Sequence, residues 1–210
     1  GLHIITRSLV MNPELRAVSL HIESRGNVTL HGDTTVTGTM GSGTVGFLQI
    51  LSALGQIDFS GQDFFVAAGH LILSSALGFT DTIRSKAQSI TIVNRGTDAR
   101  GNITVREKNS LNIARRDLLL GNGVTSTGIV SLHGNIDIQL ADTASILTTE
   151  LGTVIRTAGL DNDITLTANE IDFVAGRNTI IGTGDLTVQA KTTDWTYRLS
   201  SVADTIAGAD

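Results

Sequence analysis

Cysteine, proline and aromatic residues are scarce in this chain of 210 residues. The absence of cysteine excludes disulfide bonds, thiolate metal sites and cysteine nucleophiles. Proline occurs once, at Pro13, so almost nothing in the sequence interrupts the pairing of β-strands. Aromatic residues make up only 4%, which leaves few side chains on which a sugar ring can stack.

Charge is also sparse, at 17% of residues, and the formal net charge is −5 at pH 7. With 40% hydrophobic residues this composition argues against disorder, and its acidic balance argues against a dedicated nucleic-acid binder. No run approaches 18 apolar residues, so no membrane insertion is predicted. The N-terminus lacks the pattern of a signal peptide. We therefore expect a mature or internal piece of an exported protein.

One short pattern recurs along the chain: glycine, a polar residue, and then two apolar residues separated by one position. Its copies lie at 26–30, 55–59, 101–105, 134–138 and 184–188. The first copy reads Gly-Asn-Val-Thr-Leu and the fourth Gly-Asn-Ile-Asp-Ile. Each copy is typical of a turn followed by a short β-strand with alternating sides.

The spacing of the apolar positions predicts how these strands are arranged. Ile164, Ile171, Ile180 and Leu186 follow one another at intervals of 7, 9 and 6 residues, which closes a turn of 22 residues. Pairs seven or eight residues apart, such as Ile83/Ile90 and Ile103/Leu111, recur elsewhere. Three short sides per turn predict an all-β fold, a parallel β-helix (β-solenoid) with roughly 20–30 residues per coil.

The predicted solenoid occupies residues 1–190, and an irregular C-terminal segment, available for an inter-subunit contact or for continuation, occupies 191–210. An antiparallel β-sandwich is the rival fold, but it lacks such a repeated motif. The apolar run at 45–54 is too long for one side of a coil and is predicted to be a buried strand or a covering loop. The segment 118–123, Leu-Leu-Leu-Gly-Asn-Gly, is predicted to be a strand ending in a turn.

Two stretches near the end of the array carry a family resemblance. They read Asp-Ile-Thr-Leu-Thr-Ala-Asn-Glu-Ile-Asp-Phe at 163–173 and Gly-Thr-Gly-Asp-Leu-Thr-Val-Gln at 182–189. They resemble repeat units of filamentous-haemagglutinin-like large secreted exoproteins, the adhesins of the bacterial β-helix family. The resemblance implies a right-handed parallel β-helix that forms a secreted, extracellular shaft at the cell surface, and it supplies no catalytic residues.

Charge is unevenly distributed along the chain. Eight basic residues fall between positions 84 and 116: Arg84, Lys86, Arg95, Arg100, Arg106, Lys108, Arg115 and Arg116. Eight acidic residues fall between 137 and 185: Asp137, Asp142, Glu150, Asp161, Asp163, Glu170, Asp172 and Asp185. The basic group is a candidate band for an anionic partner such as a surface glycan, or for contact with the acidic end of a second copy. The alternative is an ordinary solvated surface.

Other polar groups admit a catalytic or metal-binding interpretation. Asp58/Asp63 and the acids at 161–172 are candidates for a polysaccharide-acting lyase or hydrolase, and Asp161/Asp163 for calcium binding. However, Asp58, Asp137 and Asp172 each lie between two apolar residues, which predicts the solvated side of a strand. His31 and His133 both precede a Gly-Asx pair, so we interpret them as the same corner of two coils.

The sequence therefore predicts an extracellular structural or adhesive shaft that self-associates into a homo-oligomer, filament or surface layer. No enzyme activity, cofactor, catalytic residue or metal site is expected. A β-helix enzyme acting on polysaccharides is the alternative, and a trimeric fibre is a third.

Overall fold

A computed structural model describes residues 2–11, 15–31, 34–36, 46–59, 66–117, 125–126, 128–174, 176 and 178–193. The described part of the chain contains 22 β-strands and one short 3-10 helix, Asp98–Gly101. In chain order the strands are β1 (Leu2–Thr6), β2 (Leu9–Met11), β3 (Leu15–Ala17), β4 (Ser19–Ser24), β5 (Val28–Leu30), β6 (Thr34–Val36), β7 (Phe47–Ser52), β8 (Ile57–Asp58), β9 (Val66–Ser75), β10 (Ile83–Asn94), β11 (Ile103–Glu107), β12 (Leu111–Ile113), β13 (Arg116–Asp117), β14 (Thr125–Ser126), β15 (Gly128–Ser131), β16 (Ile136–Leu140), β17 (Ile146–Thr149), β18 (Val154–Thr157), β19 (Ile164–Thr167), β20 (Glu170–Asp172), β21 (Ile180–Ile181) and β22 (Leu186–Gln189).

These strands stack in parallel on three sides, which confirms the predicted parallel β-solenoid. Face A contains β1, β4, β7, the second half of β9, the end of β10, β15, β18 and β21. Face B contains β2, β5 and β8, and later β11, β16, β19 and β22. Face C contains β3, β6, the first half of β9, the middle of β10, β12, β17 and β20.

The predicted stacking register is confirmed at the positions that define it. Ile164 pairs with Leu186 across neighbouring coils on face B. Ile171 lies on face C and Ile180 on face A, as the intervals of 7, 9 and 6 residues require. Val28, Ile103 and Ile136 point inward and are 0%, 0% and 1% exposed. A single aliphatic core therefore runs along the rod, in agreement with the alternating burial of the strands.

Coil length varies more than the predicted 20–30 residues. Paired face A residues are 18 positions apart at Leu2 and Leu20 and 37 positions apart at Ile92 and Ile129. Short coils have few residues between their strands: two residues separate β1 from β2 and one separates β3 from β4, while β9 and β10 continue around corners without an intervening loop. The long coil includes the antiparallel hairpin β13–β14, which departs from the rod after β12 and returns before β15. Neighbouring strands stay paired in register in both the shortest and the longest coil.

The recurring glycine-Asx pair forms the corner between faces A and B. Side-chain oxygens of Asn102, Asn135 and Asp163 accept the backbone N–H of Asn135, Asp163 and Asp185 at 2.9, 2.9 and 2.8 Å. Each oxygen thus bonds to the equivalent residue of the next coil. We call Asn102, Asn135, Asp163 and Asp185 the outer corner ladder.

A second row of polar side chains supports the same corner from inside. The last residues of the face A strands are paired in register and buried in the core: Ser24, Ser52, Ser75, Asn94, Ser131 and Thr157. The hydroxyls of Ser52, Ser75 and Ser131 donate to the carbonyls of Gly26, Gly55 and Gly101 at 2.8, 3.0 and 2.7 Å. We call these six residues the inner corner ladder, and its hydroxyls provide hydrogen-bond donors to backbone carbonyls of the tight turn.

Face A carries a second apolar layer on its outer side. Leu51, Ile72 and Val93 point away from the main core, yet they are only 3%, 2% and 7% exposed, with Phe47 packed against them. The apolar run at 45–54 therefore includes a buried strand, β7, which is one of its two predicted forms. The predicted strand and turn at 118–123 lie outside the described residues.

Candidate functional site

The predicted basic band encircles two successive coils and does not form a patch on one side. Arg84 and Arg106 are paired on face B, whereas Lys86 lies on face C. Arg95 and Arg100 lie near the A–B corner, since Arg95 follows β10 and Arg100 is in the 3-10 helix. Lys108 and Arg115 follow β11 and β12, and the side chain of Arg116 lies outside the described residues.

Two of these arginines already have partners within the rod. The guanidinium of Arg106 forms an ion pair with Asp137 of the next coil at 2.7 Å, with both side chains about one-third exposed. Arg100 donates to the side-chain oxygen of Gln56 at 3.2 Å. Arg106 joins two neighbouring coils, and Arg100 reaches past the corner at 77–78 to a coil two steps away. Part of the basic band therefore acts within the protein, and its role toward an anionic partner stays a prediction.

The acidic pair Asp161/Asp163 does not form a cage of carboxylates. Asp163 belongs to the outer corner ladder, where its Oδ1 accepts the N–H of Asp185. Asp161 is exposed in a turn, with a φ of 55°. Calcium requires six to eight oxygen ligands. Among the described residues, the only group of three or more side chains placed to share a metal ion lies elsewhere, on β1 and β4.

The three outward carboxylates lie where the alternation predicts. Asp58 and Asp137 separate buried inward residues on face B, and Asp172 is exposed on face C. Asp58 accepts a hydrogen bond from the hydroxyl of Thr80. Asp63, the other member of the first predicted pair, lies outside the described residues.

The interpretation of His31 and His133 as one corner of two coils is wrong. His31 follows a face B strand, β5, and its N–H donates to Met11. His133 follows a face A strand, β15, directly before the Gly134 corner. The shared Gly-Asx sequence does not distinguish the corners, because two different corners use the same turn residues.

Sequence reasoning missed one buried acid, Glu107, at the end of β11. Its carboxylate accepts the hydroxyl of Ser85 at 2.5 Å and the backbone N–H of Ala87, Lys108 and Asn109 at 2.9–3.3 Å. Burial raises the pKa of Glu107, and the hydrogen bonds from Ser85 and the three backbone groups only partly oppose this. Leu140 occupies the paired position one coil later, so the repeat itself predicts an apolar residue here.

This raised pKa predicts how stability depends on pH. The folded state holds the Glu107 proton more tightly than the unfolded state, whose pKa is near the ordinary value of 4.5. The stabilisation is therefore complete below pH 4.5 and is lost as pH rises through the folded-state pKa. Urea unfolding across this range should show that contribution in the wild type and not in Glu107→Gln, which is neutral throughout. Equal slopes in the wild type and Glu107→Gln would contradict the assignment.

A cluster of two histidines and a glutamate lies on the outer side of face A in the first two coils. His3 and His21 are paired in register, and their rings stack with centroids 4.4 Å apart. Glu23 Oε1 is 3.8 Å from His3 Nε2 and 3.2 Å from His21 Nε2. Burial lowers the pKa of His21, as does the neighbouring His3, while Glu23 opposes the shift.

The sequence contains a signal for this cluster in a repeated tripeptide. Leu-His-Ile occurs at 2–4 and again at 20–22. An offset of 18 residues is shorter than the predicted coil, so the two histidines were not expected to be neighbours. The structure brings them together because the first described coil is that short.

The last described coil exposes residues that elsewhere form the core. Leu186 and Val188 are 52% and 38% exposed, whereas their register partners Ile164 and Leu166, one coil earlier, are 3% and 0% exposed. An open pocket of about 170 Å³ lies at this end. It is lined by Asn162, Ile164, Ile180, Gly182, Gly184, Asp185 and Leu186. We call β21, β22 and this pocket the end surface.

These features define a parallel β-solenoid with open end coils and a histidine-glutamate cluster on its side. No protein-family model matches the chain, and comparison with curated proteins and with solved structures gave no significant match. The resemblance to filamentous-haemagglutinin-like exoproteins therefore stays a prediction from the sequence. The described residues form no helix with the length and apolarity needed to cross a membrane.

Proposed function

We propose that this chain is a segment of an extracellular structural or adhesive shaft, and that copies associate end to end. The observation that carries the proposal is the exposure of Leu186 and Val188 on the end surface. A further coil placed on β22 would bury both side chains as β22 buries Ile164 and Leu166. Complete burial of one aliphatic side chain contributes about 1.5–3 kcal/mol.

The first described coil offers a surface that would match the end surface of a second copy. Leu2 is 48% exposed and Leu9 is partly buried, while their partners Leu20 and Val28 in the next coil are fully buried. Stacking the end surface of one copy on β1 and β2 of another would continue the parallel sheets. Such a head-to-tail contact uses two different surfaces, and repetition produces an open filament unless the rotation closes a ring.

Charge at the A–B corner also favours this orientation. Asp185 is the last member of the outer corner ladder within the described residues, and it is exposed. Arg7 lies exposed at the corresponding corner of the first coil, where its carbonyl accepts the N–H of Gly26 at 2.6 Å. Head-to-tail stacking brings these opposite charges together, so association should weaken as the salt concentration rises.

The association is tested by sedimentation velocity and electron microscopy of the chain across a range of concentrations and salt. We expect rods whose length grows in steps of one chain, and we expect the double variant Leu186→Asp/Val188→Asp to sediment as a monomer. The matched control is Leu160→Asp. Leu160 is 86% exposed, more than either target, but lies in a turn beside the rod.

Two results would contradict end-to-end association. One is a wild-type protein that stays monomeric at every concentration and salt tested. The other is assembly that the double variant and the Leu160→Asp control reduce equally. Localisation outside the cell rests on the sequence resemblance and would be tested separately by accessibility of the protein on intact cells.

A further inference from the structure

The parallel register explains why the His3–His21–Glu23 cluster forms. β1 and β4 are neighbouring strands, which in any sheet are about 4.8 Å apart. Their pairing places His3 directly beside His21 on the outer side of face A. Glu23 is two residues after His21 and therefore projects from the same side of β4. All three side chains are held by strands, which position them more precisely than a loop would.

The separations within the cluster suit ligands of one ion. One ligand atom from each residue can be chosen so that all three lie within 4.8 Å of one another. The two measured Nε2–Oε1 separations are 3.2 and 3.8 Å. Nitrogen and oxygen ligands bound about 2.0–2.1 Å from a tetrahedral Zn²⁺ are about 3.3 Å apart. The separations between the atoms therefore suit a common ion, and the two stacked rings, inclined by 21°, would have to rotate to direct both nitrogens at it.

The direction of the His21 ring adds a second, independent observation. Its Nε2 atom is buried and makes no hydrogen bond with any residue that the structure describes, although Glu23 Oε1 is only 3.2 Å away. The two atoms are therefore close but are not oriented to form a hydrogen bond with each other. Two atoms that bind the same ion have this relation. A buried nitrogen without a partner is uncommon in folded proteins, and a bound cation would supply one.

The next coil contributes a further polar group to the same row. Gln49 is paired with His21 on β7 and is 1% exposed. Its Nε2 also has no hydrogen-bond partner among the described residues. Which end of a glutamine amide carries oxygen is assigned from its hydrogen bonds, so the same side chain rotated by 180° presents an acceptor. Gln49 thus provides an outer partner for an ion or its bound water.

We propose that His3, His21 and Glu23 bind one divalent transition-metal ion, with Zn²⁺ as the representative case. Two imidazoles and one carboxylate suit Zn²⁺, Cu²⁺ or Ni²⁺ and do not suit Ca²⁺ or Mg²⁺, which prefer oxygen ligands. The ion would join the first two coils across face A, so its binding should stabilise the end of the rod that exposes Leu2.

The site is tested by calorimetric titration of the untagged, chelator-treated chain with Zn²⁺, and with Ca²⁺ as a negative control. We expect one Zn²⁺ per chain and a rise in the thermal unfolding midpoint that Ca²⁺ does not produce. Loss of an outer-sphere partner typically costs about 10- to 100-fold in affinity, so loss of a ligand in His21→Ala or Glu23→Gln should cost at least as much.

Two further variants keep the test decisive. His3→Ala removes a half-exposed ligand and should fold even if His21→Ala does not, which circular dichroism will show. His133→Ala removes an exposed histidine from a different part of the rod and should bind Zn²⁺ as the wild type does. Absence of Zn²⁺ binding by the folded wild type, or equal affinity in His3→Ala and His133→Ala, would overturn the proposal. Neither outcome depends on whether copies associate end to end.

Discussion

Replacing Gly134 with valine is expected to lower the free energy of unfolding by about 3 kcal/mol or more, at the upper end of the usual cost of overpacking. A Cβ atom at this position would lie 2.5 Å from the backbone nitrogen of Asn102 and 2.6 Å from the carbonyl oxygen of Gly101. Both are backbone atoms of the coil beneath, so no side-chain rotation can relieve the contact. The coils would have to separate at this corner.

The matched control is Gly152→Ala, which tests backbone conformation without a steric contact. Gly152 has a φ of 77°, and a Cβ there would meet no atom within 4 Å. Its substitution should cost about 1–2 kcal/mol, the usual penalty for an L-residue in this conformation. Urea unfolding followed by circular dichroism measures both variants. A Gly134→Val protein as stable as Gly152→Ala would show that the corner tolerates expansion, contrary to the packing described.

Replacing Asn94 with leucine is expected to have a comparable effect through lost hydrogen bonds. The Asn94 amide donates to the carbonyls of Arg100, Gly101 and Asn102 at 2.8, 3.0 and 3.0 Å. Its Oδ1 accepts the N–H of Gly96 at 2.9 Å. Asn94 is 0% exposed, and leucine has a similar branched shape but cannot form these bonds. The carbonyls of Arg100 and Gly101 keep bonds from Phe79 N–H and the Ser131 hydroxyl, whereas the Asn102 carbonyl and the Gly96 N–H lose their Asn94 partner. At about 1–3 kcal/mol for each buried unsatisfied group, the loss should reach about 3 kcal/mol or more.

The variant Asn94→Ser separates the effect of the hydrogen bonds from the effect of side-chain volume. Serine occupies the paired positions Ser75 and Ser131 in the coils on either side, where each hydroxyl bonds to a corner glycine carbonyl. We therefore expect Asn94→Ser to recover part of the stability lost in Asn94→Leu, despite its smaller size. Hydrogen exchange of the amides at 96–103 would show whether the corner opens locally. If serine were as damaging as leucine, the volume of the side chain and not its hydrogen bonds would be decisive.

The repeat predicts the fold well because the corner glycine and the alternation of apolar and polar residues each determine the structure of only a few neighbouring residues. A corner glycine followed by an Asx residue and two apolar positions determines both the turn and the inward side of the next strand. The positions Ile164, Ile171, Ile180 and Leu186 could therefore be assigned to successive faces before any coordinates were known. The inner corner ladder could be identified only from the structure, because serine and threonine also occur at many positions whose side chains point outward.

The candidate metal cluster could not be predicted for a different reason. Contact between His3 and His21 depends on the length of one particular coil, and coil length varies from 18 to 37 residues. No local pattern determines that length, since it depends on whether strands bend around corners, as β9 does, or are interrupted by a hairpin. The confusion of the His31 and His133 corners has the same origin: the turn residues are shared, and only the register distinguishes them.

The hairpin β13–β14 shows that one coil of the solenoid tolerates a long insertion. The rod leaves its regular path after β12 and resumes with Ile129 paired to Ile92 and Ile155, as if the additional residues were absent. Closing a longer loop between two fixed ends costs only about 0.6 kcal/mol for each doubling of its length. The pairing of the flanking strands is therefore largely independent of the length of chain inserted at this corner, and we expect a foreign peptide inserted between residues 117 and 125 to leave the stacking of the coils undisturbed.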